Sequence, residues 1–298
     1  MISLQLPSAF RQQVRILLAG AGGNGSAMLN GLARMDLALR ELGHPGLSVT
    51  LCDPDRVSPA NVGRQMFSPA DVGAFKCDTL IQRVNLFYGL DWTALPQKLD
   101  GKTDLGAAGQ RNMDLLITCV DTAAARRTIG KACVSRSHGT FCDWWLDLGN
   151  EARTGQFVLG NLREKLNHLD FTISNKEWAE GYQQPEKIPH VLDLFPALAD
   201  PKFKESNAPS CSVAESLRKQ DLFINQTVAT FALDLLWDWF RRGSITAHGG
   251  FINLETKTVR PLPIDPAVWA RMRGVAVKKK RPTSNAQRST SKAHKARP

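Results

Sequence analysis

No apolar run in this 298-residue chain approaches the roughly 20 residues that cross a bilayer, so no membrane-spanning helix is expected. The opening MISLQLPSAFRQQ lacks the long apolar core of a secretory signal, and a cytoplasmic protein is the expectation. Cysteines stand at 52, 77, 119, 133, 142 and 211, and no two have C-x-x-C spacing. A paired-thiolate zinc site and a disulfide framework are therefore not expected. Cys52 and Cys119 fall at the ends of expected strands, where a small buried thiol is the ordinary role. There is no internal repeat. Acidic residues are missing from 276–298, which holds eight Lys or Arg and almost nothing apolar. The formal net charge of +10 drops to about +2 without that segment. Such a composition cannot bury enough surface to order itself, so 276–298 is expected to be a disordered basic tail. It either aids solubility or makes nonspecific contacts with nucleic acid through phosphate neutralisation.

What is present is a folded core of ordinary composition, 43% apolar. Val14-Arg15-Ile16-Leu17-Leu18-Ala19 is a short apolar run ending in glycines and reads as a buried parallel strand. A helix over 26–42 follows, with Met28, Leu29, Leu32, Met35, Leu39 and Leu42 at helical spacing. Gly43, Pro45 and Gly46 end it, and 47–52 reads as a second strand reaching Asp53. Further along, 75–86 reads as helix, 114–120 as a strand ending at Asp121, and 122–134 as helix. Strands are expected over 140–148 and 155–159, a long helix over 222–240, and a strand pair over 250–263. The stretch 161–210 is polar and irregular, and reads as a mobile insertion or crossing segment. The expected fold is α/β: a Rossmann-like, doubly wound, largely parallel sheet with a continuing antiparallel part. One domain would span 1–275.

The turn Gly20-Ala21-Gly22-Gly23-Asn24-Gly25 lies between strand and helix, where glycines let a phosphate approach backbone N–H groups at a helix N-terminus. Asp53, at the end of the next strand, suits a ribose, and by itself suits NAD equally. The residues after it discriminate. The chain reads D-x-D-x-V-x-x-x-N-x-x-R-Q from Asp53 through Asp55 and Asn61 to Arg64 and Gln65. Asn61, Arg64 and Gln65 can line a triphosphate, and the guanidinium of Arg64 can bond phosphate oxygens in a bidentate way. Lys76, opening the next helix in Gly73-Ala74-Phe75-Lys76, adds a second cation. Asp121 can hold magnesium beside phosphates, or cap the helix that follows it. A dehydrogenase leaves Asn61, Arg64, Gln65 and Lys76 idle.

These pieces, GAGGNGS, DPDRVSPANVGRQ, GAFK, Asn85 and DLLITCVD, resemble the ThiF/MoeB and ubiquitin-activating enzyme superfamily over about 14–135. PSCSVAE at 209–215 is a weaker match, with Cys211 where family members often carry a cysteine before the last core helix. The chain is also similar to the ThiF-related proteins of PRTRC cassettes. The resemblance implies ATP- and magnesium-dependent adenylation of a C-terminal carboxylate on a ubiquitin-like or sulfur-carrier protein, by a homodimer. It implies that Asp53 holds the ribose, with Asp55 in the same cofactor set. Asn61, Arg64, Gln65 and Lys76 would bind phosphates, and Asp121 magnesium. Cys211 would be a candidate for a covalent intermediate. The family's R-Y-x-R-Q segment ahead of the glycine turn is absent, and Phe10-Arg11-Gln12-Gln13 stands there instead. Two other functions fit part of the pattern: an NAD-dependent oxidoreductase, and a non-catalytic ThiF-like scaffold with a nucleic-acid-contacting tail. Surplus apolar residues on the 222–240 helix, among them Phe231, Leu235, Leu236, Trp237, Trp239 and Phe240, also suggest a dimer.

Overall fold

A computed structural model describes residues 2–63, 65–100, 113–134, 142–162, 165–179, 184–203 and 221–274. Arg64, Cys211 and the basic tail lie outside the described residues. Alternation within each strand divides the core in two. In β2 (Val14–Ala19), Val14, Ile16 and Leu18 face one layer while Leu17 and Ala19 face the other. β2 runs parallel to β3 (Leu47–Cys52) and β5 (Met113–Thr118), β3 to β4 (Thr93–Leu95), and β5 to β6 (Cys142–Asn150). From β6 outward the pairing turns antiparallel, through β7 (Thr154–Asn161), β10 (Ala247–Asn253) and β11 (Thr258–Pro263). The resulting eight-stranded order is β11-β10-β7-β6-β5-β2-β3-β4. β11 carries Pro261 and Pro263, which an edge position tolerates because the ladder there needs no donor on the open side.

Helix α1 (Gly23–Glu41) begins three residues earlier than the apolar spacing predicted, because the glycines themselves wind into its first turn. With α2 (Lys76–Tyr88) and a long helix, Ile224–Arg242, it covers one face of the sheet. Helix α3 (Ala123–Val134) covers the other face. Short helices α4 (Asn175–Ala179), α5 (Val191–Leu194) and α6 (Pro196–Ala199) lie in the stretch expected to be irregular. In its described parts that stretch packs on the core. Ile188, Val191 and Leu194 are fully buried, and the Asn161 side chain accepts a 2.7 Å hydrogen bond from the Ile188 N–H.

The Ile224–Arg242 helix, α7, comes unusually close to α1. A Cβ on Gly31 would lie 2.0 Å from Leu233, and one on Gly23 would lie 2.4 Å from Asn225. Two glycines eight residues apart thus seat α7 against α1 and bring its N-terminus to the glycine turn. The apolar face of α7 is used inside the chain. Val228, Leu236 and Trp239 are fully buried, and Phe231, Leu235, Trp237 and Phe240 pack against the same core. Each fully buried aliphatic there contributes about 1.5–3 kcal/mol. Of the residues that suggested a dimer, Leu236 and Trp239 are thus used within the chain, while Phe231, Leu235, Trp237 and Phe240 stay partly exposed. The large apolar residues most open to solvent are instead Leu86 and Phe87, at the end of α2.

A second sheet escaped the sequence reading. β1 (Ile2–Gln5) sits between β8 (Phe171–Ile173) and β9 (Ser244–Ile245), antiparallel to both. It binds the start of the chain to the middle segment and to the end of α7. A final helix, α8 (Pro266–Met272), is N-capped by Asp265 and buries Trp269. No helix among the described residues is long and apolar enough to cross a membrane.

Candidate functional site

The glycine turn closes over the ends of β2 and β5. Gly20 adopts φ +99°, and a Cβ there would lie 2.7 Å from the Cys119 carbonyl oxygen. A Cβ on Gly25 would lie 1.8 Å from the Gly20 carbonyl oxygen, so the first turn of α1 forms only with glycine there. A Cβ on Gly22, in contrast, would meet only Gln65, at 3.9 Å. α1 has no side-chain cap and no acid in its first turn. Its first N–H groups and the positive end of its dipole are left for an anion.

Asp53 follows β3 and braces this turn. One carboxylate oxygen accepts the Ala21 N–H at 2.6 Å and the other the Asp55 N–H at 2.8 Å. Burial holds its carboxyl above the ordinary aspartate value, opposed by these two N–H donors and by Lys76. Each oxygen keeps a further lone pair for a ligand hydroxyl.

The loop after Asp53 is held by its own contacts. The Asn61 side-chain oxygen accepts from the Ser58 N–H and hydroxyl at 2.8 and 3.0 Å, which fixes the short helical turn Pro59–Asn61. The Arg56 guanidinium lies 3.9 Å above the Phe75 ring and donates to the Gly73 carbonyl. Arg83, on α2, donates to the Met66 carbonyl and pairs with Asp71. The sequence reading missed Arg83, whose only signal was a cation one helical face away from the motif. Lys76 is 8% exposed, and its Nζ meets the Asp55 carboxylate at 3.0 Å. The structure thus brings Asp53, Asp55, Asn61, Gln65 and Lys76 to one side of the glycine turn. Gln65 carries a buried side-chain oxygen with no partner among the described residues.

Asp121 stands at the other side, exposed after β5. The helix cap is Thr122, whose hydroxyl accepts from the Ala125 N–H at 3.1 Å, so Asp121 is not occupied as a cap. A cradle of free helix N–H groups, a buried lysine and an exposed carboxylate together suit a nucleotide triphosphate with its divalent cation. No cluster of three metal-binding side chains exists among the described residues. A cation here would therefore rest on Asp121 and on the nucleotide's own oxygens.

Below the turn lies a buried polar network that the sequence reading did not anticipate. Asp147 on β6 is fully buried, accepts from the Thr118 hydroxyl at 2.6 Å, and pairs with Arg126 at 2.9 Å. Arg126 also donates to the Leu148 carbonyl, and Trp145 donates to Thr118 at 2.7 Å. Burial pushes the Asp147 carboxyl up, against Arg126 and Thr118. Its alternation signal was hidden, because β6 reads as an apolar run on both faces. Cys52 and Cys77 are inert, their thiols pushed up to about 12 by burial.

The fold is a Rossmann-like α/β fold. Residues 9–147 match the ThiF family model. Among solved structures the chain is similar to PaaA, with TM-score 0.51 and 12% identity over 85% of this chain and 65% of that one. It is similar to E. coli MccB, with TM-score 0.53 and 14% identity over 85% of this chain and 63% of that one. The chain thus spans somewhat less than two thirds of either protein, and at these identities the likeness is one of fold. No curated protein sequence matches it significantly.

Proposed function

We propose that the chain adenylates a carboxylate with ATP. The observation that carries this reading is the uncapped N-terminus of α1, faced on one side by Asp53, Gln65 and Lys76 and on the other by exposed Asp121. Asp53 holds the ribose, and Asn61, Arg64, Gln65 and Lys76 hold phosphates. Lys76 exchanges its bond to Asp55 for one to a phosphate, and Asp55 keeps it in place until then. An ionised carboxylate needs no base. Its oxygen forms a bond to the α-phosphorus as the bond to the β-phosphate oxygen breaks, and pyrophosphate leaves with the electron pair. The protein's share is positioning and charge neutralisation. Asp121, together with phosphate oxygens, would hold a magnesium ion, which would add further charge neutralisation. The acid is the C-terminus of a small ubiquitin-like or sulfur-carrier protein, and the enzyme works as a cytoplasmic homodimer. Cys211 is the candidate acceptor if a covalent step follows.

ATP–pyrophosphate exchange tests this. Arg64→Ala and Lys76→Ala should each lower exchange by about 10²-fold or more, the usual effect of removing a partner of transition-state charge. Undiminished exchange in the double variant would overturn the proposal.

A further inference from the structure

Asn24 is the second residue of α1 and is 7% exposed. Its amide orientation is fixed by a chain of bonds. Asn150, the last residue of β6, donates its NH2 group to the Glu151 carbonyl at 3.0 Å. Its oxygen therefore faces Asn24 and accepts from the Asn24 NH2 group at 2.9 Å. The Asn24 carbonyl oxygen is left buried and without a partner among the described residues. A buried acceptor in this state is costly until a donor arrives.

The position of that oxygen decides what the donor is. In the sheet, β3 lies on one side of β2, and β5 and β6 lie on the other. Asp53, Gln65 and Lys76 belong to the β3 side, while Asn24 is tied to the end of β6. On the reading given above, which this inference rests on, Asp53, Gln65 and Lys76 hold the ribose and the leaving phosphates from the β3 side, while Asp121 would hold their magnesium from across the glycine turn. Attack in line with the leaving group brings the acid in from the opposite side. Phosphate and carboxylate oxygens at neutral pH only accept hydrogen bonds, so neither satisfies Asn24. A polypeptide C-terminus carries a donor at a fixed place, the N–H on the same α-carbon as the reacting carboxylate. A simple carboxylic acid has none.

We propose that Asn24, braced by Asn150, is a specificity-determining residue whose side-chain oxygen accepts the N–H of the substrate's last peptide bond. It selects C-terminal peptide carboxylates over other acids and takes no part in binding ATP.

The test needs no variant at its first step. ATP–pyrophosphate exchange by the full chain is measured at millimolar concentrations of a synthetic hexapeptide ending in Gly-Gly. It is compared with exchange driven by the analogue whose last amide is an ester. The amide peptide should show kcat/KM higher by about tenfold or more, the usual effect of leaving a buried acceptor unpaired. In Asn24→Leu and Asn24→Ala that ratio should fall toward one, with Mg-ATP affinity unchanged. Equal use of the two peptides by the wild-type chain would overturn the role of Asn24 and leave adenylation standing. Weakened Mg-ATP binding in Asn24→Leu would also overturn it, by placing Asn24 on the nucleotide. Exchange with neither peptide, in a chain that binds ATP, would overturn the adenylation reading and this inference together.

Discussion

Asp53, just after β3, and Asp147, within β6, are both buried carboxylates of one sheet with β2 and β5 between them, yet they are partnered in opposite ways. Asp147 is satisfied by the chain itself: Arg126 and Thr118 meet it directly, and Trp145 closes the network behind Thr118. Asp53 has two backbone N–H donors, no side-chain cation in direct contact among the described residues, and spare lone pairs. Burial raises both carboxyls, so both are held at some cost. Only Asp53 has capacity left over for something outside the chain. His248 belongs with Asp147. Its Nδ1 bonds the Leu159 carbonyl at 2.6 Å, and its Nε2 accepts from the Trp269 indole at 2.8 Å. The difference separates polar groups that hold the fold from those kept for a ligand.

Breaking the closed class should cost most. Arg126→Ala leaves Asp147 buried and uncompensated, and should lower unfolding stability by about 3–5 kcal/mol in a denaturant titration. A loss below about 1 kcal/mol would show that water reaches Asp147, and would dissolve the distinction.

Acid tests the same class. His248 is buried, with its pKa lowered to about 4 by that burial, and is a neutral donor–acceptor pair in the fold. Its contribution is complete above the unfolded value near 6.5 and is lost as pH falls from there through about 4. Stability should fall by up to about 3 kcal/mol over that range. His190, lowered to about 4 chiefly by burial, acts in the same direction. A melting temperature that is flat from pH 7 to pH 5 would contradict the assignment.

The open class should respond in function rather than in stability. Asp53→Asn should weaken Mg-ATP binding by about 1–3 kcal/mol, the loss expected for hydrogen bonds to a charged group. Its folded pKa is raised, so what Asp53 contributes to stability is present below the unfolded pKa and lost as pH rises through the folded one. Asp53→Asn removes the cost of the buried charge along with its hydrogen bonds, and should cost no more than about 1 kcal/mol of unfolding stability. A large loss of stability would move Asp53 into the same class as Asp147. The smallest effect is expected at Arg83, which is partly exposed where it pairs with Asp71. Arg83→Ala should change stability by less than about 1 kcal/mol by chemical unfolding.

The parallel half of the molecule was legible, and the antiparallel half much less so. Val14–Ala19 and Leu47–Cys52 stand in the sequence as apolar runs closed by glycines or an aspartate, and the structure keeps those bounds. The site residues around them are local in sequence, so one motif carries most of the set. β1, β8 and β9 are two to four residues long and pair across the whole chain. Strands that short show no periodicity, and their register depends on contacts no local pattern encodes. Asn225 and Asn150 reach the glycine turn from α7 and β6, and only the packing of Gly23 and Gly31 against α7 reveals that Asn225 lies there. Asp121 left two roles open in the sequence, and the Thr122 cap removed one.

Calorimetric titration of the full chain with Mg-ATP and with NADH tests the central claim most directly, since Asp53 alone suits either nucleotide. The account predicts saturable Mg-ATP binding that weakens by about 1–3 kcal/mol in Asp53→Ala, and negligible NADH binding. NADH binding as tight as that of ATP, or Mg-ATP binding unchanged in Asp53→Ala, would contradict it.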